Sequence, residues 1–334
     1  MIHRPDPGSF EISICVATFM RPDGLRELLE SLVNQRNVEG RFGIVVVDND
    51  PDGTAQPIVA ESQTDHYPPI IYAVEPSPGI PAVRNRSIAL AREAGAATVA
   101  FIDDDEFAAP YWLATLQSRL KYTPADAVSG PVEPVLPSDA PIWSKQTRAF
   151  HRSTFPDGAR LAYASTANAM LRLDALAGSR EPFDDAFRFT GGADTLLFRT
   201  LHEQGKRIVW EPNALVYERV PTERLSMRWL IARGYRHGVT LARCDRIILQ
   251  RRRTLRLTWR AFRGIAQIGV GTLQVAISLV RTDPHWRNGL IRIARGIGVI
   301  AGFLGISYEE YRRLHEVGSR PQQRPSRNSP SGAR

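Results

Sequence analysis

Two apolar runs in this sequence end abruptly at carboxylates. Residues 42–47 stop at Asp48, and residues 98–102 stop at Asp103, which opens a short acidic run. Asp103 and Asp105 are spaced so that both can reach one hard divalent cation, whose remaining positions water and a substrate diphosphate would fill. An acidic turn after a strand is more often a solvated loop, so the spacing alone leaves both interpretations open.

The elements that must position these carboxylates follow from hydrophobic periodicity. Apolar residues alternate over 12–16, and four leucines recur at helical spacing between 25 and 32. Further strands are predicted at 42–47, 70–74 and 98–102, and a helix at 81–94. This βαβαβ order predicts an α/β fold with a mostly parallel sheet. Ligands of such sheets bind beyond the carboxyl ends of the strands, where Asp48 and Asp103 stand.

The middle of the chain is less regular. A strand is predicted over 126–137 and is followed by a loop-rich stretch, 141–163, that could cover a site. Order returns with a strand at 168–171, a helix around 195–203 and a strand at 207–210. The specificity of any reaction would be set by side chains in the loop-rich stretch, whose shape the sequence does not give.

The net charge of +8 conceals an asymmetry between two parts of the chain. Residues 1–218 hold 20 Lys and Arg against 29 Asp and Glu, whereas residues 219–334 hold 23 Arg against 6 acids. The first part suits a metal-binding catalytic domain. The second is attracted to an anionic surface, either a phosphate polymer or the cytoplasmic face of a membrane.

The basic part contains two uncharged stretches, 264–280 and 296–306. The first includes four polar residues and is shorter than the roughly twenty apolar residues that a spanning helix needs. We therefore expect a basic amphipathic helical region over 219–318 that lies at a membrane interface. A soluble helical subdomain is the alternative. The last stretch, 319–334, is rich in Pro, Ser and Arg and is predicted to be disordered.

Composition and missing motifs disfavour several other classes. Two cysteines are too few for a disulfide framework or a thiolate metal site, and the polar first ten residues predict a cytoplasmic chain without a secretory signal. No Gly-rich phosphate loop follows the first strand, against a dehydrogenase or a nucleotidyltransferase. A basic nucleic-acid-binding or peripheral membrane protein with a non-catalytic α/β domain remains the alternative function, although the C-terminal arginines alternate with aliphatic rather than stacking residues, so no nucleic-acid partner is expected.

Segments 12–35, 45–55 and 79–113 resemble the successive nucleotide-binding blocks of family-2 glycosyltransferases, in matching order and spacing. Segment 191–221, followed by 228–238, resembles the acceptor-side block, most closely that of succinoglycan-type exopolysaccharide glucosyltransferases. The likeness covers roughly residues 11 to 240 and implies a GT-A-type, Rossmann-like domain over 1–218. It implies an inverting transferase that uses a UDP-sugar and Mg²⁺ or Mn²⁺. The remaining third of the chain has no specific likeness.

The resemblance assigns roles to individual residues. It places Thr18 and Arg21 along the nucleotide, Asp48 on the uracil ring and Arg84 near the base and ribose. Asp103 would contact ribose and metal, and Asp105 would bind metal directly. Arg233, Arg236 and His237 are further candidates for contact with the diphosphate, because an Arg fork makes charge-assisted hydrogen bonds well.

Asp194 matches the general base of the acceptor block. One carboxylate suffices to remove the proton from an acceptor hydroxyl that attacks the anomeric carbon, so a single displacement with inversion is the simplest proposal. Gly191 and Gly192 would let the substrate approach the backbone closely. Alternatively, Asp194 caps the following helix. Three positions depart from the family pattern: Ala17, where proline is frequent; Met20, where asparagine is frequent; and Ala193, where glutamate is frequent.

These observations together predict a hexosyltransferase, most plausibly a glucosyltransferase. Its donor would be a UDP-sugar and its acceptor a lipid-linked oligosaccharide of exopolysaccharide or cell-surface polysaccharide assembly. The expected location is the inner face of the plasma membrane, with the Arg-rich region on anionic lipid.

Overall fold

The fold combines a large mixed sheet, a small sheet and a C-terminal layer of long helices. The computed structural model describes residues 10–63, 68–147, 149–249, 255–281, 283, 286–306 and 308. The predicted tail at 319–334 lies outside these residues.

The strands form two sheets. They are β1 (Ile12–Thr18), β2 (Phe42–Asp48), β3 (Ile70–Val74), β4 (Thr98–Asp103), β5 (Glu106–Ala108), β6 (Ala127–Ser129), β7 (Val132–Val135), β8 (Arg160–Leu161), β9 (Asn168–Arg172), β10 (Ile208–Trp210) and β11 (Val216–Arg219). The large sheet has the order β3-β2-β1-β4-β9-β6-β10-β8, and the small one β5-β11-β7. The predicted strand over 126–137 is thus two strands in different sheets, because the chain turns at Gly130 and Pro131.

The helices flank the large sheet and then continue beyond it. They are α1 (Pro22–Val33), α2 (Gln56–Ser62), α3 (Ile80–Glu93), α4 (Trp112–Tyr122), α5 (Ile142–Gln146), α6 (Ala193–Glu203), α7 (Met227–Leu249), α8 (Leu255–Val280) and α9 (Trp286–Phe303). Short 3₁₀ turns occupy Leu173–Leu176, Asp185–Phe187 and Thr222–Arg224. The architecture confirms the predicted α/β class with helices following the catalytic part.

Burial explains why the first four strands read as nearly continuous apolar runs. Along β1, Ile14 packs into a core that contains the leucines of α1, whereas Cys15 packs into a second core with Phe101. Both faces of the strand are covered, as expected for parallel strands between helical layers. All four of those leucines are fully buried.

The strand register sets the carboxyl edge of the sheet. β1 pairs in parallel with both β2 and β4, with Thr18 opposite Asp48 and Ala17 opposite Asp103. The ends of three neighbouring strands therefore meet at one edge, so the acidic run after β4 begins beside the loop that follows β1.

The C-terminal helices pack through glycines. α9 lies against both α7 and α8, which have little contact with each other. A Cβ at Gly271 of α8 would lie 2.8 Å from the carbonyl oxygen of Gly289 in α9, and one at Gly298 would lie 2.0 Å from that of Tyr235 in α7. Backbones this close leave no room for side chains at these positions.

This packing predicts opposite effects for two glycine substitutions. Gly298→Ala is expected to destabilise the fold by about 1–3 kcal/mol, because the new methyl group meets backbone that cannot yield. Gly269→Ala in α8 is the matched control, since a Cβ there meets nothing within 4 Å; helix propensity should make it stabilising by up to about 1 kcal/mol. Thermal unfolding of both variants in the same buffer checks this. Equal shifts for the two would contradict the glycine packing.

The structure bears on two expectations about the C-terminal part of the chain. The predicted domain boundary between residues 218 and 219 falls inside β11, so the part of the chain that forms the sheets extends past it. α7 also contributes Cys244 to the core that contains Phe198 of α6. Among the described helices, the stretch Phe262–Val280 of α8 is long and apolar enough to cross a membrane, judged by length and composition alone.

Candidate active site

A cavity of about 650 Å³ lies at the carboxyl edge of the sheet. The loop after β1, the start of α3, the acidic run after β4, the start of α6 and the first half of α7 all contribute to its wall. The resemblance assigned nucleotide, metal or base roles to seven residues, and six of them line this cavity: Thr18, Arg21, Arg84, Asp103, Asp105 and Asp194. The exception is Asp48.

Asp103, Asp104 and Asp105 all line the cavity, but their side chains differ in exposure. Asp103 and Asp105 keep side-chain exposures of 34% and 22%, whereas Asp104 keeps 7%. Asp104 accepts hydrogen bonds from the Thr18 hydroxyl and the Arg21 guanidinium, both at 2.9 Å. Thr18 and Arg21 therefore hold the loop that carries Asp103 and Asp105.

Backbone contact fixes the same loop from below. Gly24 in the first turn of α1 lies so close to the acidic run that a Cβ there would be 2.4 Å from the carbonyl oxygen of Asp104. The turn signal at 21–24 thus does more than begin a helix, because it also lets α1 support the acidic run.

The charges of the acidic run are unevenly balanced. Burial raises the pKa of Asp104 to about 6, and the neighbouring Arg21 opposes that rise. Burial also raises the pKa of Asp105, again against the effect of Arg21. Arg21 donates to Asp105 at 3.0 Å as well as to Asp104, so one guanidinium offsets part of the charge of two carboxylates.

Arg84 lies beside the first carboxylate of the run. Its guanidinium donates to Oδ1 of Asp103 at 3.0 Å and is 5.7 Å from the centre of the Phe183 ring. These two contacts hold Arg84 at the cavity wall.

Asp48 is placed differently from the other predicted site residues. It is fully buried, and its carboxylate accepts from the Asp50 and Ala55 amides, both at 2.9 Å, and from the Tyr72 hydroxyl at 3.0 Å. In this arrangement it organises the loop after β2, and the wall is formed by its neighbour Asn49. Contact between Asp48 and a uracil ring stays a prediction.

Asp194 lies in the first turn of α6. The helix begins at Ala193 with Gly192 at its N-cap, so Asp194 is not the capping residue that the alternative interpretation made it. Its carboxylate accepts from the Ser165 hydroxyl at 3.1 Å and from the Thr195 amide at 2.7 Å. Gly191 and Gly192 have φ values of 68° and 100°, a backbone that only glycine adopts readily.

Met20 also has a positive φ, of 53°, in the loop after β1. Asparagine tolerates this left-handed region better than methionine. The backbone thus gives a physical reason for the asparagine that is frequent at this position in the family resembled.

Four arginines form a basic cluster in the cavity wall, and the sequence analysis had identified only two of them. Arg233 and Arg236, which had been singled out, line the cavity together with Arg152 and Arg224. Arg224 donates to Glu218 at 2.7 Å and to Asp105 at 3.3 Å. Burial lowers the pKa of Arg233 to about 10, which leaves it charged at neutral pH. His237 is exposed and does not line the cavity.

Arg152 belongs to the loop-rich stretch 141–163, which was predicted to cover a site. It donates to Glu106 at 3.1 Å and to Glu218 at 2.9 Å, and so joins the start of the small sheet to its middle strand. Burial raises the pKa of Glu106 well above its usual value. No periodicity surrounds Arg152 in the sequence, so only the fold reveals it.

Comparisons with known proteins agree with this geometry. Residues 13–179 match the family model described as Glycosyl transferase family 2. The succinoglycan biosynthesis protein ExoM of Rhizobium meliloti (strain 1021) is 33% identical over 315 residues, which is 93% of this chain and 98% of that protein.

Solved structures share the fold at low sequence identity. The mannosyltransferase PcManGT from Pyrobaculum calidifontis, in complex with GDP-Man and Mn²⁺, superposes with a TM-score of 0.60 at 17% identity and covers 91% of this chain and 90% of its own. TarS of S. aureus superposes with a TM-score of 0.50 at 17% identity and covers 87% of this chain and 55% of its own. These likenesses confirm the predicted GT-A-type fold.

Proposed function

Because this chain belongs to glycosyltransferase family 2, we propose that it moves a hexose, which we take to be glucose, from a UDP-sugar to a lipid-linked oligosaccharide in exopolysaccharide assembly. One observation carries the proposal. Asp103, Asp105 and Asp194 line a single cavity, so the predicted donor carboxylates and the predicted base face the same space. Relatedness to a succinoglycan biosynthesis protein supports the polysaccharide pathway.

The acidic run fits a hard divalent cation. Oδ1 of Asp103 and Oδ2 of Asp105 accept from arginines, which leaves one oxygen of each carboxylate without a hydrogen bond within the part of the chain that the structure describes. No group of three His, Cys, Asp or Glu residues among those described could hold a metal alone. Two carboxylates plus a diphosphate is the donor set that Mg²⁺ commonly takes; the GDP-Man and Mn²⁺ complex of PcManGT supports the same use here.

The chain's own residues divide the remaining work. A bound cation would supply positive charge that stabilises the departing diphosphate. Arg233 and Arg236 line the same cavity as the acidic run and would contact the same phosphates, since an Arg fork matches phosphate geometry. The Asp103–Arg84 pair would orient the ribose and base. These contacts position the anomeric carbon in the cavity.

Asp194 would take the proton from the acceptor hydroxyl. Ser165 and Thr195 donate to its carboxylate, which fixes the orientation of the side chain in the cavity wall. A carboxylate held in this way can accept a proton from a hydroxyl bound within hydrogen-bond distance. Because Asp194 supplies the only carboxylate at the start of α6, we propose a single displacement with inversion.

The C-terminal layer would bring the enzyme to its acceptor. α8 exposes large apolar side chains, among them Ile265, Leu273 and Leu279 at 59%, 60% and 63%. α8 packs mainly on α9 and has little contact with α7, so these three side chains point away from the helices that α8 contacts. We propose that this face lies in the interface of the cytoplasmic leaflet, where anionic lipid attracts the surrounding arginines.

UDP release in the presence of detergent-solubilised membrane lipid tests the proposal. A panel of UDP-sugars, with GDP-mannose as the matched alternative, is offered with Mg²⁺, with Mn²⁺ and with EDTA. We expect turnover of one UDP-sugar that requires both a divalent cation and the lipid fraction. Turnover of GDP-mannose instead would replace the donor, and failure of every nucleotide sugar to bind would refute the proposal.

A further inference from the structure

A second cavity, of about 470 Å³, lies between α8 and α9 and shares no lining residue with the active site. We refer to it as the α8–α9 cavity. Its wall carries the guanidinium groups of Arg263, Arg292 and Arg295 together with the amide side chains of Gln267 and Asn288. No Asp or Glu is among the described residues that line it. The volume is that of a small-molecule site, about 300–1,000 Å³.

The polar groups of the α8–α9 cavity are short of protein partners. None of its three arginines forms an ion pair within the part of the chain that the structure describes. Nε of Arg295 and Oε1 of Gln267 are buried, and neither has a hydrogen-bond partner among the residues that the structure describes. Asn288 is engaged, since it accepts from the Thr147 hydroxyl at 2.9 Å. A polar anion would offset both the charge repulsion and the unmet hydrogen bonds.

The surroundings of the cavity indicate which anion. Val270 lines the cavity and is itself 49% exposed, and Phe262 and Ile265 on the same helix are also exposed. A cationic cavity beside an exposed apolar face matches a molecule that carries a phosphate and hydrocarbon chains. A free nucleotide or a nucleic acid would match the arginines but would leave the apolar face in water.

We propose that the α8–α9 cavity binds the phosphate of an anionic glycerophospholipid, with its acyl chains along the apolar face of α8. The proposal rests on the membrane attachment given under the proposed function and adds a defined site to it. The three arginines would contact the phosphate, and Gln267 would accept from a headgroup hydroxyl. A choline headgroup is disfavoured, because its cation would lie among the guanidinium groups.

Flotation with lipid vesicles tests this on the full-length protein. The vesicles contain phosphatidylcholine, with or without phosphatidylglycerol. The triple variant Arg263→Gln, Arg292→Gln, Arg295→Gln is expected to lose about 100-fold in partitioning to the phosphatidylglycerol vesicles, as three surface arginines contribute about fivefold each. The charge-matched control is Arg36→Gln, Arg180→Gln, Arg207→Gln, which removes three exposed arginines from the catalytic part and should change partitioning less than about threefold.

The outcomes separate the cavity from the other properties of the chain. Selective loss in the cavity variant, with its thermal midpoint and its UDP-sugar binding in detergent unchanged, supports the proposal. Equal loss in both variants would show diffuse charge attraction and overturn it, as would unchanged binding in the cavity variant. The double variant Leu273→Asn, Leu279→Asn tests the apolar face of α8. If this variant lost vesicle binding while the cavity variant kept it, membrane attachment would stand and the phosphate site would be rejected.

Discussion

Asp194→Asn is expected to lower kcat by about 10³-fold while the affinity for the UDP-sugar changes little. The amide keeps the shape of the side chain, and its single oxygen can still accept from the Thr195 amide in place of Oδ1, while the Ser165 hydroxyl loses its acceptor Oδ2. The amide cannot take a proton. General base catalysis typically contributes about 10²–10⁴-fold, and no second carboxylate at the start of α6 can replace it. Steady-state UDP release with the lipid acceptor, together with isothermal titration of UDP, separates the two effects.

Two further variants sharpen this test. Ser165→Ala removes one donor to Asp194 and should lower kcat by less than the Asn variant, without a change in UDP affinity. Asp174→Asn changes an exposed acid in a 3₁₀ turn away from the cavity and should behave as wild type. If Asp194→Asn kept near-normal turnover, another group would have to act as the base.

Asp105→Asn is expected to lower kcat/KM by about 10³-fold and to abolish the dependence of UDP binding on Mn²⁺. Two carboxylates provide the proposed cation site, so the loss of one negative charge removes half of the protein's contribution. The cation is proposed to stabilise the charge that develops on the leaving group by several kcal/mol. A loss of about 4 kcal/mol corresponds to a 10³-fold decrease in kcat/KM. Titration of UDP with and without Mn²⁺ measures the coupling directly.

Asp105 also contacts Arg21 and Arg224, so its substitution could act through these arginines rather than through a cation. Asp104→Asn distinguishes the two routes, because Asp104 contacts Arg21 but is turned toward Thr18. It should lower stability and retain metal-dependent UDP binding. Asp52→Asn, at an exposed loop position, serves as the neutral control. Equal loss of metal dependence in the Asp104 and Asp105 variants would contradict a cation held by Asp105.

The sequence was sufficient to predict the order of the first strands and helices, because the buried strands β2 and β4 read as apolar runs and β1 shows alternating apolar residues. Their position after a strand end led to Asp103 and Asp105, whereas Asp194 was identified through the family resemblance. Short elements were missed for a physical reason. β5 and β11 have three and four residues, too few for a periodicity to be visible.

The parts of the site that escaped prediction depend on contacts distant in sequence. Asp104 is the same residue type as Asp103 and Asp105 and lies in the same acidic run. Its hydrogen bonds to Thr18 and Arg21, more than 80 residues away, distinguish it from the two neighbouring aspartates. Asp48 illustrates the converse, as its position at a strand end predicted a ligand contact while Tyr72 and two amides already occupy its oxygens. Local sequence patterns identify carboxylates at the carboxyl edge of the sheet. Tertiary contacts decide which of these carboxylates already have hydrogen-bond partners in the protein.

The glycine contacts of α9 have a mechanical consequence. Backbone lies against backbone on both sides of α9, so sliding of α7 or α8 along it would bring main-chain atoms together. We therefore expect the three helices to tilt together as one plate. The same plate carries Arg233 and Arg236 into the active site. The angle of α8 on a lipid surface would therefore be coupled to the orientation of these two arginines. A bilayer that tilted the plate would also change their position in the cavity.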